Sequence, residues 1–286
     1  MLHERAPAKI NLSLRVVGRR ADGYHLLDSL VVFASDVFDE LSLTPGEGLS
    51  LAVEGPLATD AGDPSGNLVL KAARALMERC EGIKVGAFRL AKRLPVAAGL
   101  GGGSADAAAA LRLLARLNDI ALDHPDLFEA ARATGADVPV CLQSRARMMR
   151  GIGDELGPIL PPPNIRALLV NPRVACPTAS VFRELNLAPG DLRKRADDAS
   201  AGANENLLDW LAARPNDLEA PAIRLAPVIA DVLETLRALD GCALARMSGS
   251  GATCFGLFDA RDVAEQAASA LRGARPDWWI ATTKLM

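Results

Sequence analysis

The sequence predicts an α+β protein built as two mixed halves, and three observations carry that prediction. Strand-like alternation and helix-like spacing are interleaved along the whole chain, without a strict strand–helix–strand rhythm. A proline-rich stretch, "GPILPPPN" at 157–164, punctuates the middle and marks a boundary, giving domains over 1–156 and 157–286. The chain has 286 residues, half of them apolar, enough core for one large or two medium domains.

The first half opens with strands. Between residues 9 and 43, "INLSLRVVG" alternates, "RRADGYH" supplies turn residues and "LLDSLVVFA" reads as a half-buried or buried strand. "DELSLTP" and "LSLAVEGP" add two more, punctuated by proline and glycine. In "GNLVLKAARALMERC" the apolar Leu68, Ala72, Ala75 and Leu76 have helical spacing. "IKVGAFRLAKRLP" alternates through Ile83, Val85 and Ala87, so a strand runs into the glycines that follow. Ala107, Leu111, Leu114 and Leu117 then form a helical stripe, and "HPDLFEAARATG" reads as a helix started by Pro125 and stopped by Gly135.

In the second half "IRALLVNP" reads as a strand and "TASVFRELN" as a helix. "LAPGDLRKRADDASAGANEN" is a long polar loop, so 187–204 is expected to be either a lid over a ligand or a connector. "PVIADVLETLRAL" is a helix, "ALARMSGSGATCFGLF" a strand, glycine turn and strand, and "DVAEQAASALRG" a further helix.

Composition narrows the function. Lys and Arg number 32 against 35 Asp and Glu, so no overall charge recommends nucleic acid or an anionic membrane as partner. The N-terminus "MLHERAPAKINLSLRVV" carries charges where a signal peptide needs an apolar run, and no apolar stretch reaches membrane-spanning length. The five cysteines (Cys80, Cys141, Cys176, Cys242, Cys254) are scattered without a C-x-x-C and read as reduced thiols. Three histidines are too few for a histidine-rich zinc site. These features predict a soluble cytoplasmic protein without nucleic acid or membrane as partner.

"LPVAAGLGGGSADAAAAL", residues 94–111, places four glycines within five residues ahead of an alanine-rich helix. Glycine loses the most conformational freedom on folding, so such a cluster needs a reason. One reading is a connector or a tight strand-to-helix turn. The other is an anion cradle, where bare N–H groups converge and the helix adds its positive end, with Ser104 as N-cap or phosphate-contacting hydroxyl. No Gly-Lys occurs, so this is not a Walker loop, and the dinucleotide pattern begun at Gly99 and Gly101 meets Ser104 where its last glycine belongs.

Three other segments bear on the choice. In "PAKINLSLRVVGRRADGYHLLDSL", Lys9 and Asn11 flank the start of a strand while Tyr24 and His25 follow a glycine turn. Alone, Lys9 reads as a solvated strand-end lysine and His25 as a surface turn residue. In "GADVPVCL", Asp137 reads as a turn-capping aspartate or as an acid at the margin of the core. "MSGSGATCFGLF" alone is a hairpin connector.

Taken together and in order, "PAKINLSL…R.DGYH", "LPVAAGLGGGSADAA", "GADVPV" and "MSGSGATCFGLF" resemble the signatures of the galactokinase, homoserine kinase, mevalonate kinase and phosphomevalonate kinase (GHMP) superfamily, from about residue 6 to residue 260. Within it, the N-terminal block and the triple glycine are similar to the family of kinases acting on 4-diphosphocytidyl-2-C-methyl-D-erythritol. That resemblance implies a two-domain GHMP-kinase-type fold: an N-terminal ATP-binding domain with a ribosomal-protein-S5-like arrangement, a C-terminal ferredoxin-like α/β sandwich, and an active site in the cleft between them. It implies ATP as co-substrate with Mg²⁺, and phosphorylation of the 2-hydroxyl in the non-mevalonate route to isopentenyl diphosphate.

The same resemblance assigns residues. Lys9 and Asp137 match the catalytic pair. Pro95, Val96, Ala97, Ala98, Gly99, Leu100, Gly101, Gly102, Gly103, Ser104 and Ala105 match the loop around the ATP phosphates. Asn11, Tyr24, His25, Thr178 and Phe182 fall on the substrate side, with Phe182 expected to stack on cytosine opposite Tyr24. Two features depart from the pattern. Arg145, Arg147 and Arg150 with Met148 and Met149 stand where smaller residues are expected, on a segment that should be a strand, and no acidic ligand for Mg²⁺ can be singled out.

Overall fold

The computed structural model describes residues 1–193 and 206–286. They form two compact units that interleave along the chain: Met1–Lys9, Val37–Val96 and Gly101–Arg145 in the first, and Ile10–Asp36, Ala97–Leu100 and Ala146–Met286 in the second. The units therefore follow contacts rather than the single cut expected at 157. A long strand, β3 (His25–Gly46), contributes its first part to one unit and its last part to the other.

In the first unit, β1 (Leu2–Asn11) pairs with β3. On the other side β5 (Val85–Ala91) runs antiparallel to β3, Leu41 facing Leu90, and β4 (Ser50–Glu54) runs parallel to β5, Leu51 facing Phe88. The two strands expected over 26–45 are one, because "ASDVF" between them contains no glycine or proline to break the ladder. β1 begins at Leu2, earlier than expected, since its charged first residues already alternate outward.

Four helices complete the unit: α1 (Leu68–Met77), α2 (Gly102–Leu117), α3 (Pro125–Thr134) and α4 (Val138–Gln143). Asn67 caps α1 by accepting from the Val69 N–H, and α3 starts as expected with Pro125 in its first turn. Ala107, Ala108, Ala109 and Ala110 of α2 are fully buried, and their small side chains let α1, α3 and α4 close around it. Helix α4 was not foreseen. "VPVCLQ" reads as an apolar run, but Pro139 in its first turn suits a helix start and its buried neighbours supply the packing.

In the second unit, β2 (Arg15–Arg19), the first part of β3, β6 (Arg147–Gly151) and β7 (Glu155–Ile159) form an antiparallel ladder. The strand expected within "CLQSRARMMRGIGDEL", 141–156, is present from Arg147 as β6, while its first residues, Cys141 to Gln143, belong to α4. Pro158 is accommodated because β7 is an edge strand. β8 (Arg166–Asn171), β9 (Leu244–Met247), β10 (Cys254–Phe258) and β11 (Trp279–Lys284) make a second sheet in the order β11-β8-β10-β9, every pair antiparallel. Helices between β8 and β9 and between β10 and β11 give the β-α-β-β-α-β ferredoxin-like order that was expected.

Between β8 and β9 lie α5 (Thr178–Arg183), α6 (Leu207–Ala212), α7 (Glu219–Leu225) and α8 (Val228–Arg237); between β10 and β11 lies α9 (Arg261–Ala274). Helix α8 packs on β9 and β10, and α9 on β8 and β11, around fully buried Leu168, Val232 and Phe258. Helices α6 and α7 are too short for periodicity to reveal, and β11 was not foreseen either. The first part of the polar loop is tied to β2, with Gly190 N–H donating to the Arg19 carbonyl and Arg193 N–H to that of Val17. The rest of the loop expected to be a lid or a connector, from 194 on, lies outside the described residues. Among the described residues no helix is long and apolar enough to cross a membrane.

Candidate active site

In the first unit, β1 carries Lys9 inward. The residue is 3% exposed, with Nζ 3.3 Å from Oδ2 of Asp137. Asp137 precedes α4 with a helical backbone and makes no capping hydrogen bond, so its half-exposed carboxylate faces the ammonium. Both ordinary readings are corrected here: Lys9 is not a solvated strand end, and Asp137 is not a turn cap.

The same unit holds the end of the glycine loop. Gly101, at φ +60°, is the N-cap of α2, and a Cβ on it would stand 3.0 Å from Cε of Lys9. Gly101, Gly102, Gly103 and Ser104 therefore present the open start of a sixteen-residue helix beside the Lys9 side chain, and the first N–H groups of a helix lack partners within it. Of the two roles expected for Ser104, that of N-cap is excluded: it is the third residue of α2, because the left-handed turn falls at Gly101. Ala105 is buried behind it, while Pro95 is half-buried and Val96 exposed on the approach to the loop.

Sequence reasoning missed a cluster under this helix start. Lys92, 3% exposed, donates through Nζ to the carboxylates of Asp39 and Asp106, the latter at 2.7 Å. The alanine run hid Asp106 as a lone charge, and the strand pattern hid Asp39. Burial raises the Asp106 pKa to about 8, with Asp39 adding to the effect and Lys92 opposing it.

In the second unit, Ala97, Ala98, Gly99 and Leu100 lie against the "MSGSGATC" turn. Gly99 sits at φ +75°, and a Cβ there would fall 2.2 Å from the Ser248 carbonyl oxygen. Thr253 N–H donates to the Ala98 carbonyl, and Ser248 Oγ donates to that of Gly99 while accepting from the Asn11 N–H. "MSGSGATC" is thus more than a hairpin connector. Asn11 is buried, its amide donating to Ser29 Oγ at 2.8 Å.

His25 and Phe182 meet as rings, centroids 4.7 Å apart and tilted by 32°. Partial burial and the neighbouring Arg19 lower the His25 pKa, leaving a neutral imidazole with one donor and one acceptor nitrogen. Tyr24 is 61% exposed at the turn tip; the ring against Phe182 belongs to His25. Thr178 opens α5, its hydroxyl 2.8 Å from that of Ser250. On β6, Arg147 is buried and Arg150 lies 3.5 Å from Asp28, while Arg145, in the first unit, is exposed.

Comparison with known proteins gives consistent results. The description "GHMP kinases N terminal domain" matches residues 67–145, and "GHMP kinases C terminal" matches 191–276. The chain is 57% identical to a 4-diphosphocytidyl-2-C-methyl-D-erythritol kinase of Methylorubrum extorquens, over 100% of this chain and 99% of that one. It is equally 57% identical to the Rhodopseudomonas palustris protein of the same name, covering 98% and 95%. Among solved structures, a crystal structure of 4-(cytidine 5'-diphospho)-2C-methyl-D-erythritol kinase matches with a TM-score of 0.78 at 38% identity, covering 99% of each chain. Homoserine kinase from Cytophaga hutchinsonii, at 20% identity and a TM-score of 0.67, shares the fold over 100% of this chain and 97% of that one.

Proposed function

From the premise that the chain belongs to the GHMP kinase family, we propose that it phosphorylates the 2-hydroxyl of 4-diphosphocytidyl-2-C-methyl-D-erythritol with ATP, releasing ADP. This is a step of the non-mevalonate route to isopentenyl diphosphate. The observation that carries the chemistry is the Lys9–Asp137 pair, 3.3 Å apart, with Lys9 packed under Gly101 at the start of α2.

A neutral alcohol is a weak nucleophile, so the transfer needs a base at the hydroxyl and positive charge near the moving phosphoryl group. Asp137 accepts the hydroxyl proton as the new oxygen–phosphorus bond forms and the bond from the γ-phosphorus to the β,γ-bridging oxygen breaks. Lys9 steadies that carboxylate and offsets charge gathering on the transferred group. The phosphates of ATP rest on the backbone of 95–105, whose left-handed turns at Gly99 and Gly101 leave no room for a Cβ against the Ser248 carbonyl and the Lys9 side chain. Mg²⁺ bound with the nucleotide would neutralise part of the phosphate charge. The described residues contain no group of three or more His, Cys, Asp or Glu able to hold a metal, so no side chain is assigned to it.

The cytidine end goes to His25, Tyr24 and Phe182. The tilted His25–Phe182 ring pair offers a flat face and a donor–acceptor edge, and exposed Tyr24 can lie over the base. Thr178 and Asn11 complete the substrate side. For this reading the N-terminal and C-terminal parts are those of the two family matches, 67–145 and 191–276, which lie on either side of 156/157. The five free cysteines suit a reducing cytoplasm, and the enzyme is taken as a monomer or homodimer.

A coupled ADP-release assay tests the assignment. Turnover is expected with the cytidylyl methylerythritol substrate and inhibition by CMP competitive with it; turnover of homoserine or mevalonate instead would overturn it. A pH series tests His25. Because its pKa is lowered, the ring is neutral at pH 7 and gains a proton only as pH falls below the ordinary histidine range. That proton removes the acceptor nitrogen, so KM for the cytidylyl substrate is expected to rise in acid while KM for ATP holds. His25→Ala should raise KM at all pH values and abolish this acid limb. An acid limb unchanged in that variant would remove His25 from the subsite.

A further inference from the structure

Three buried side chains beneath the start of α2 have no part in the chemistry above. Asp39 on β3 accepts the Leu94 N–H at 2.8 Å through Oδ1, bonds the Arg93 N–H through the same atom, and takes Lys92 Nζ on Oδ2. Lys92 also bonds Asp106 Oδ2 from the second turn of α2. One ammonium thus ties together β3, the chain entering the glycine loop and the helix leaving it. A Cβ on Gly102, the first residue of α2, would stand 3.3 Å from Lys92 Nζ, so the cluster lies directly under the helix start.

Its charges do not balance. Two carboxylates share one ammonium, and all three side chains are within a few per cent of complete burial. Both carboxylates converge on the same Lys92 Nζ, so two ionised acids there would repel each other, and Asp39 opposes ionisation of Asp106. Oδ1 of Asp106 is buried without a hydrogen-bond partner among the described residues. An unpaired ionised oxygen there is costly, whereas a protonated acid tolerates the site. An ionised Asp106 would also draw on the positive end of α2, the same end offered to phosphate.

Resting on the reading of 95–105 as the ATP site, we propose that Lys92, Asp39 and Asp106 are a positioning triad for nucleotide binding. They fix where α2 begins, and a proton kept on the carboxylate pair leaves the charge beneath that helix start neutral when a triphosphate arrives. The surroundings fit this. Cys141 of α4 is fully buried, its thiol pushed up to about 12 by burial first and by Asp137 and Asp106 in part, so it stays neutral. Lys71 of α1 is turned to the Thr134 carbonyl of α3, and no charged group of α1 or α3 acts on Asp106 among the described residues. Burial opposes the charge on Lys92, but Asp106 and Asp39 outweigh it and its pKa is raised.

Calorimetric titration of the whole enzyme with MgATP tests the proposal, in buffers of different ionisation enthalpy between pH 6.5 and 9.5, for the wild type and Asp106→Asn. The amide copies the shape of the protonated acid and cannot titrate. Wild-type binding is expected to take up a fraction of a proton at pH 8, where phosphate is already ionised, and to weaken by up to about tenfold per pH unit above that. Asp106→Asn should bind within a few-fold of wild type at pH 7, take up no proton and lose the alkaline fall. Should the variant fail to fold, the wild-type proton count decides alone. Binding with no proton uptake overturns the triad and leaves the ATP site standing; no binding of ATP at any pH overturns the site itself.

Discussion

Asp137→Asn is expected to cut turnover about 10²–10⁴-fold, the usual worth of a positioned base, while ATP affinity stays within a few-fold. The amide keeps the size of the carboxylate and its place ahead of α4, so the backbone has no reason to move. What it loses is the capacity to accept the hydroxyl proton, together with its charge opposite Lys9 at 3.3 Å. Both losses act on the transition state more than on either bound substrate, so kcat should fall with little change in either KM. Steady-state ADP release and calorimetric ATP binding on the same preparation separate the two quantities. Unchanged turnover would make Asp137 a structural residue.

Gly99→Ala is expected to abolish ATP binding and to lower stability by about 1–3 kcal/mol. The added Cβ would meet the Ser248 carbonyl at 2.2 Å, backbone against backbone, with no flexible side chain to give way. The position is also left-handed at φ +75°, where alanine is strained whatever the space. Relief requires the 97–100 segment to part from the "MSGSGATC" turn, breaking the bonds from Thr253 N–H and Ser248 Oγ. At Gly102 the nearest atom to a new Cβ is the mobile end of Lys92 at 3.3 Å, so Gly102→Ala should be much milder. A thermal melt and an ATP titration of the two variants check the ranking; equal behaviour would contradict the backing role of Ser248.

Much of this was legible in the sequence, for reasons particular residues show. Pro125 and Gly135 bracket α3, and the alternation through Val85 and Ala87 marks β5, because those signals act within a few residues. The pairing of Lys9 with Asp137 spans 128 positions, and no local pattern could give it; it came from a resemblance between ordered motifs. Helices α4, α6 and α7, of six or seven residues each, have too few turns to show a period. That the His25 ring lies against Phe182 had no local signal, because which of two neighbouring side chains turns inward depends on the bend of the 20–24 turn. Asp106 escaped notice because a charge in an alanine helix ordinarily faces water. Only its burial beside Lys92 and Asp39 gives it a part.

A crystal structure of the enzyme with a non-hydrolysable ATP analogue, Mg²⁺ and the cytidylyl methylerythritol substrate is the most direct measurement of the central claim. The terminal phosphorus should lie over the N-terminus of α2, beside Lys9 Nζ, with the substrate 2-hydroxyl between it and the Asp137 carboxylate at hydrogen-bonding distance. A terminal phosphorus away from both side chains, or a substrate bound with that hydroxyl out of reach of Asp137, would contradict the account.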